Sequence, residues 1–461
     1  MTVGTRLRIV VSGLCVTYPY GGVFWDYMQY VLGLHLLGHD VLYLEDTGRW
    51  AYDPRGGTFV EGARDNVQRV SSWIEDLTPE LEGRWFVRDA AGNEYGAPSG
   101  RQATAFCRSA DVFIHLSASC WMRDEYYEPP VVLFLDTDPM YTHSWVYSDP
   151  EDGSRPQPLE RYLRHTHFAT FGENTGAEDC LLPSAGVSWI PTRQPIVGGR
   201  LRDVAGRAAT RPVATTVASW EPHEGGPRFA GRRYHGKSVE FESFIGLPER
   251  SPLPLELALS GLPPVETLRA RGWLVRDAGA VSSTPHEYAR YLATSFAEWS
   301  VAKNAYVAAR TGWFSCRSAC YLALGVPVVV QNTGFDEHLP HGDGLVPFSD
   351  LDSAAEGLLR VRTDHAAHRR AARAVADDYF SYEKVLPRLL DALSSVPPTD
   401  LSRLRTVRQD RRHGEPDAAA SVRGTAPDRH DTNSRPVRPV AGTSVPGGDG
   451  QQPMRSPTSG R

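Results

Sequence analysis

Lysine is almost missing from this sequence: only Lys237, Lys303 and Lys384 occur, and arginine supplies the remaining positive charge. Each lysine that is kept therefore becomes a candidate for a specific task. Cysteine is sparse as well. Cys15, Cys107, Cys120, Cys180, Cys316 and Cys320 form no CxxC pair and no tight framework, which argues against a disulfide scaffold or a zinc ribbon and fits a reduced cytoplasm. An excess of positive charge is lacking: 49 Lys and Arg against 55 Asp and Glu give a formal charge of -6, so no global basic field favours a nucleic-acid partner. No apolar run approaches the ~20 residues of a membrane-spanning helix. The opening run LRIVVSGLCV lacks an A-x-A cleavage site and passes straight into YPYGG, unlike a secretory signal.

What is present describes a soluble globular chain. Its 461 residues exceed one ordinary domain, and 41% hydrophobic with 23% charged residues sit near globular averages. From about residue 400 the chain has no aromatic residue, no Ile and no Lys, so residues 397–461 are predicted to be a disordered tail. Upstream, LRIVVSGL, HDVLYLED, DVFIHLSA, VVLFLD, HFATFGEN and VSWIPTRQP read as strands. FWDYMQYVLGLHLLG, after Gly21-Gly22, reads as an amphipathic helix. The small and polar stretch 198–212 reads as a crossing. A second α/β pattern follows: PVATTVASW and GWLVRDAG as strands, PHEYARYLATSFAEWSVA as a helix, SACYLALG as a helix, VPVVVQNTG as a strand, and helices from about 352 to 396. The reading is α/β, two tandem Rossmann-like domains with a deep interdomain cleft where ligands of open parallel sheets bind. The predicted boundaries are 1–205, 206–380, a closing helix 381–396 that returns to the first domain, and the tail.

The most informative segment is RTGWFSCRSACYLALGVPVVVQNTGF, Arg310 to Phe335. A loop with Gly312 and Ser315 opens a helix whose first amides and dipole end can seat an anion. Arg317 can add a guanidinium fork, and the Ser315 and Ser318 hydroxyls can cap or donate. Ser315 as an ordinary helix cap and Arg317 as a solvated side chain remain the structural alternative.

This segment resembles one in GT-B glycosyltransferases of an actinobacterial-type group, TGWFSDRSACYLASGRPVVVQDTGF. YPYGGVFWDYMQYVLGLHLLGHDVLYLED, THFATFGEN, PTRQP, YHGKSVEFESFIGLP and EWSVAKNAYV extend the resemblance over most of residues 8–396. The chain departs from the pattern at Cys316 and Asn332, where acidic residues are expected, and at Gly312 and Cys320, where many retaining members carry glutamates. The resemblance implies a donor site for a nucleoside-diphosphate sugar in the second domain. Lys237, with Arg232 or Arg233 beside it, would pair with the diphosphate, and Gly334, Phe335, Asp336 and Glu337 would face the sugar. Gly21 and Gly22 would form a flexible loop approaching the donor phosphates.

Asp26, one helical turn beyond those glycines, Asp136, Asp138 and His143 are the candidate catalytic groups. A carboxylate there can deprotonate an acceptor or stabilise the charge that builds at the anomeric carbon. Asp136-Thr137-Asp138 taken alone resembles the manganese motif of the GT-A architecture, and a plain turn at Asp138-Pro139 is the alternative. Tyr20, Trp25, Glu173 and Arg193 are candidate acceptor contacts. The expectation is a metal-independent cytoplasmic transferase without a cofactor, which moves a sugar from its sugar-nucleotide co-substrate to a small-molecule acceptor of specialised metabolism, such as antibiotic biosynthesis. Nucleic acid and membrane are not expected partners. A sugar-nucleotide epimerase, a phosphorylase and a catalytically silent binding protein of the same fold are the alternatives; donor base, sugar, acceptor, stereochemistry and oligomeric state stay open.

Overall fold

The computed structural model describes residues 5–145, 162, 164–184, 186–207, 209–220 and 226–399; the predicted tail from residue 400 lies outside them. The first half contains strands β1 (Arg8–Ser12), β2 (Asp40–Asp46), β3 (Ala51–Asp53), β4 (Thr58–Val60), β5 (Trp85–Arg88), β6 (Glu94–Gly96), β7 (Val112–Leu116), β8 (Val131–Asp136), β9 (His167–Thr170) and β10 (Trp189–Pro191). Eight of them form one sheet in the order β10-β9-β8-β7-β1-β2-β5-β6. All neighbours in it are parallel except β5 and β6, while β3 and β4 form a separate hairpin.

The second half contains β11 (Ala214–Ser219), β12 (Arg228–Phe229), β13 (Arg232–Arg233), β14 (Leu255–Ser260), β15 (Leu274–Asp277), β16 (Ala297–Ser300), β17 (Val328–Gln331) and β18 (Leu345–Phe348). Six form an all-parallel sheet in the order β15-β14-β11-β16-β17-β18. In both sheets the order reverses beside the first strand of the half, which leaves a crevice at the carboxyl ends. The two doubly wound sheets face each other across that crevice, the α/β GT-B arrangement.

Two readings of the sequence differ from the structure. PHEYARYLATSFAEWSVA is not one helix: the helix stops at Ala293 and Ala297–Ser300 is the central strand β16. Ala297 and Trp299 are buried in the core with Trp273 and Phe348, and that burial outweighs the helical period of the stretch. The stretch 198–212, read as a crossing between domains, opens as a helix, Gly198–Ala205. Just before it, Ile196 pairs with Ser381.

Helix α1 (Gly21–Leu36) is buried around most of its circumference, not amphipathic. It lies between the first sheet, the helix Pro285–Ala293 of the second domain and the final helix Tyr382–Ser395. A Cβ on Gly33 would stand 2.8 Å from Leu386, so the close crossing of α1 and the final helix requires glycine there. One apolar cluster runs from Ile9 and Tyr30 through Leu322 to Leu386, joining the halves into one body. Among the described residues no helix is long and apolar enough to cross a membrane.

Candidate functional site

A cavity of about 920 Å³ fills the crevice between the domains. The second domain contributes the carboxyl end of β11, Ser260 at the end of β14, Asp277 to Gly279, and the start of the helix Cys316–Ala323. Opposite them stand Tyr18 and Tyr20 from the loop after β1, the first turn of α1, the β3–β4 hairpin and Asp138. The loop after β1 is pinned by one buried carboxylate. Glu45 accepts the Val16 amide at 2.8 Å, the Thr17 amide at 2.5 Å and the Thr17 hydroxyl at 2.7 Å.

Lys237 opens the short helix Lys237–Glu242 and lines the cavity. Among the described residues it has neither an ion-pair partner nor a hydrogen-bond acceptor. Burial, and then the nearby charges of Arg317 and Lys303, push its ammonium down to about 7. On the same wall Ser315 caps the helix Cys316–Ala323 without a side-chain cap bond, leaving its hydroxyl beside amides that have no partner within the helix.

The expected phosphate fork of Arg317 is engaged elsewhere. Its Nε donates to Glu298 Oε1 at 2.7 Å, one terminal nitrogen to the Val217 carbonyl at 2.8 Å and the other to Ser300 Oγ at 2.6 Å. The side chain lines the cavity but is held in a buried ion pair with Glu298. Ser318 is buried, with no partner for its hydroxyl among the described residues, and faces a separate recess of about 20 Å³.

Across the cavity stands Asp26. Desolvation lifts its carboxyl to about 7, against the lowering influence of a hydrogen bond from the Cys316 thiol and the charge of Arg317. Cys316, where an acidic residue was expected, lies near enough to Asp26 to favour its ionised form. Asp138 also lines the cavity, with both carboxylate oxygens 2.8 Å from Lys303 Nζ. That nitrogen sits 4.2 Å from the centre of the Tyr141 ring, so the pair ties the two domains together.

The other two catalytic candidates are turned away from the cavity. Asp136 is 1% exposed and accepts from Thr142 at 2.6 Å, Thr170 at 2.8 Å and the Asp138 amide at 3.0 Å. His143 is fully buried, stacks on Trp189 at 4.1 Å and lies 3.3 Å from Asp136. This knot shapes the end of β8. With Asp136 enclosed and Asp138 paired to Lys303, the Asp-Thr-Asp carboxylates do not present a shared metal site.

The glycines at 21 and 22 are a domain seam rather than a flexible loop. The Gly21 amide donates to the Ser282 carbonyl at 2.7 Å and the Gly22 amide to Ser282 Oγ at 3.0 Å, so the second domain caps α1. A Cβ on Gly21 would stand 2.2 Å from the Thr284 carbonyl oxygen. Trp25 is buried in the same seam, its indole donating to the Pro285 carbonyl at 3.1 Å, whereas Tyr20 does line the cavity.

Glu173 and Arg193 pair with each other, and Arg193 lies over the Tyr379 and Phe380 rings of the closing segment; neither lines the cavity. Asn174, beside them, donates to the Arg310 carbonyl at 3.0 Å and the Gly334 carbonyl at 3.2 Å, and its oxygen meets His338 Nε2 at 2.6 Å. Gly312 and Gly334 adopt φ of 75° and 91°, and their bare Cα atoms make room for Asn174. Phe335 is buried against Phe314, Asp336 accepts from Asn332 at 2.8 Å, and exposed Glu337 pairs with Arg310 at 2.7 Å. Arg233 is exposed on the β12–β13 hairpin, and Arg232 beside it lies over the Tyr234 ring.

The sequence reading passed over Tyr52, Arg55, Arg69 and Asp277, all of which line the cavity. The turn signal DPRGG between AY and TFV could have found the β3–β4 hairpin that carries the first two. Arg69 projects from helix α2 (Arg64–Leu77) and has no local signature. Among the described residues no three His, Cys, Asp or Glu side chains gather as a metal site.

No family model and no curated protein matches the sequence. Solved structures similar to this chain include AviGT4, a glycosyltransferase involved in avilamycin A biosynthesis, at 16% identity over 84% of this chain and 97% of that one, with a TM-score of 0.42. A glycosyltransferase from Rickettsia africae ESF-5 aligns at 10% identity over 85% and 98%, with a TM-score of 0.47. Anabaena Alr3699/HepE in complex with UDP-glucose aligns at 12% identity over 85% and 100%, with a TM-score of 0.44.

Proposed function

We propose that the protein is a glycosyltransferase that moves a sugar from a nucleoside-diphosphate sugar to a small acceptor held in the interdomain cavity. One observation carries this reading: an unpaired lysine beside a helix start on one wall faces a carboxyl held near neutrality on the other. Lys237 and the amides at Ser315 to Ser318 receive the leaving diphosphate as the bond from its oxygen to the anomeric carbon breaks. Asp26, ionised, accepts the proton of the acceptor hydroxyl as the new carbon–oxygen bond forms. The nucleoside then lies toward Ser260 and Asp277.

The lysine and the helix start stand in for a metal ion in this scheme, so neither metal nor cofactor is needed. The tyrosine-lined first-domain wall supports a small ring-bearing acceptor of specialised metabolism. The unpaired thiols of all six cysteines agree with action in the cytoplasm.

A thermal-shift panel of UDP, GDP, ADP and dTDP with and without magnesium or manganese tests the donor half, because a ligand that binds only the folded state raises the midpoint. One diphosphate is expected to stabilise the wild type without metal and to lose that effect in Lys237→Ala. Stabilisation by none of them, or only with manganese, contradicts the reading. Release of diphosphate that requires an acceptor separates a transferase from an epimerase or phosphorylase, which turns over the sugar nucleotide alone or with free phosphate.

A further inference from the structure

We infer that the acceptor carries an anionic group, a carboxylate or a phosphate, next to a flat ring. This rests on the transferase reading and names the acceptor class of that same cleft.

The cavity holds two cations that the donor scheme does not use. Arg55 stands at the tip of the β3–β4 hairpin and Arg69 on α2, both on the first-domain wall. Neither has an acidic partner among the described residues. Elsewhere in this domain arginines in or near the sheet are paired: Arg84 with Asp40, Arg88 and Arg123 with Asp46, Arg193 with Glu173. Arg64 and Arg101 also lack an acidic partner among the described residues, but both are exposed and neither lines the cavity, whereas Arg55 and Arg69 do.

The acids that might have neutralised them are directed elsewhere. Asp53 turns its carboxylate onto its own hairpin, accepting the backbone amides of Arg55 at 2.9 Å and Gly56 at 3.1 Å. Asp277, on the facing wall, accepts the Ala280 amide at 2.9 Å as a helix cap. The donor's own negative charge is met on the second-domain wall by Lys237 and the helix start. A second pair of cations opposite calls for a second anion.

The surroundings supply the other half of the recognition. Tyr20 and Tyr52 stack with ring centres 6.1 Å apart, and Phe59 backs Tyr52 at 5.4 Å. Tyr20 and Tyr52 line the same cavity as the two arginines, so a planar ligand ring is received on an aromatic surface while its oxyanion is held by guanidinium forks. Arginine suits this task better than lysine, since its planar donors match carboxylate and phosphate oxygens in pairs.

The test uses the full chain and three probes: 4-hydroxybenzoate, its neutral isostere 4-hydroxybenzamide, and phenyl phosphate. Affinities are read by ligand-observed NMR titration, with UDP, GDP, ADP and dTDP titrated into the same preparations. The expected result is that at least one anionic probe binds about tenfold more tightly than the amide, and that Arg55→Gln with Arg69→Gln brings the ratio close to one. Whichever of benzoate and phosphate keeps the larger ratio identifies the anion. Arg101→Gln, an equal loss of charge on an exposed helix away from the cavity, keeps the preference.

Thermal midpoints within a few degrees of wild type show that the double variant is folded. Equal affinity for amide and acids in the wild type overturns the inference, as does a preference that survives the double substitution. Loss of nucleoside-diphosphate binding in the double variant also overturns it, by assigning the arginines to the donor. If no diphosphate binds the wild type while the acid preference follows the two arginines, the transferase reading fails and the anion site stands.

Discussion

Asp26 and Cys316 define the chemistry at the scale of single residues. Burial lifts the Asp26 carboxyl to about 7, and the Cys316 thiol is the strongest influence in the opposite direction. Turnover is therefore expected to rise with pH through about 7 and to level off above it, as Asp26 ionises into a base. Cys316→Ala removes a group that favours the ionised form, so the acid limb moves to higher pH, while Cys316→Ser, which can still donate, leaves it near the wild-type position. A kcat/KM profile from pH 5 to 9 reads both. Asp26→Asn should reduce turnover by about 100-fold or more.

The stability of that variant has a definite sign. A carboxyl whose folded pKa is raised gives the fold its largest relative stability while protonated, and that contribution is lost as pH rises from the unfolded value toward about 7. The Asn variant is therefore more stable than wild type at pH 8, by a margin that shrinks as pH falls toward 4; thermal midpoints at the two values check it. Lys237, singled out by the family resemblance and supported by the rarity of lysine, does line the cavity. The pairing of Arg317 with Glu298 was not legible, because Glu298 sits on a strand that the sequence pattern presents as the end of a helix.

At the scale of elements, Asn174 and the two glycines it needs fasten the loops at Gly312 and Gly334. Gly334 has φ of 91°, and a Cβ there would lie 2.3 Å from Asn174 Nδ2. Gly334→Ala should cost roughly 1–3 kcal/mol from backbone strain, read as a lower urea midpoint at unchanged m-value. Asn174→Ala should cost a comparable amount by leaving the Gly334 and Arg310 carbonyls without that donor. The parallel strands β1, β7, β8 and β17 were legible as short apolar runs. β14, LELALS, was not, since leucine and alanine favour a helix as readily as a buried strand, and only its place between β11 and β15 decides the matter. The seam formed by Gly21, Gly22, Trp25 and Ser282 was equally hidden, because its partners lie about 260 positions away in the sequence.

At the scale of the whole molecule, one mostly parallel and one all-parallel sheet are held face to face so that opposite walls of one cavity carry complementary groups. The rule that ligands bind at the carboxyl ends of such sheets located the cleft from sequence, while which side chains face it depended on contacts between the halves. Those contacts include the Asp138–Lys303 pair and the capping of α1 by Ser282. The central claim is that Lys237 receives the diphosphate. Burial pushes the Lys237 ammonium down to about 7, so an arriving anion is expected to draw a proton onto it at pH 8. Calorimetric titration of the stabilising diphosphate at pH 8, in two buffers of different ionisation enthalpy, counts that proton. Uptake of about one proton in the wild type, lost in Lys237→Met, is the predicted result. Binding without proton uptake, or uptake that survives Lys237→Met, would contradict it.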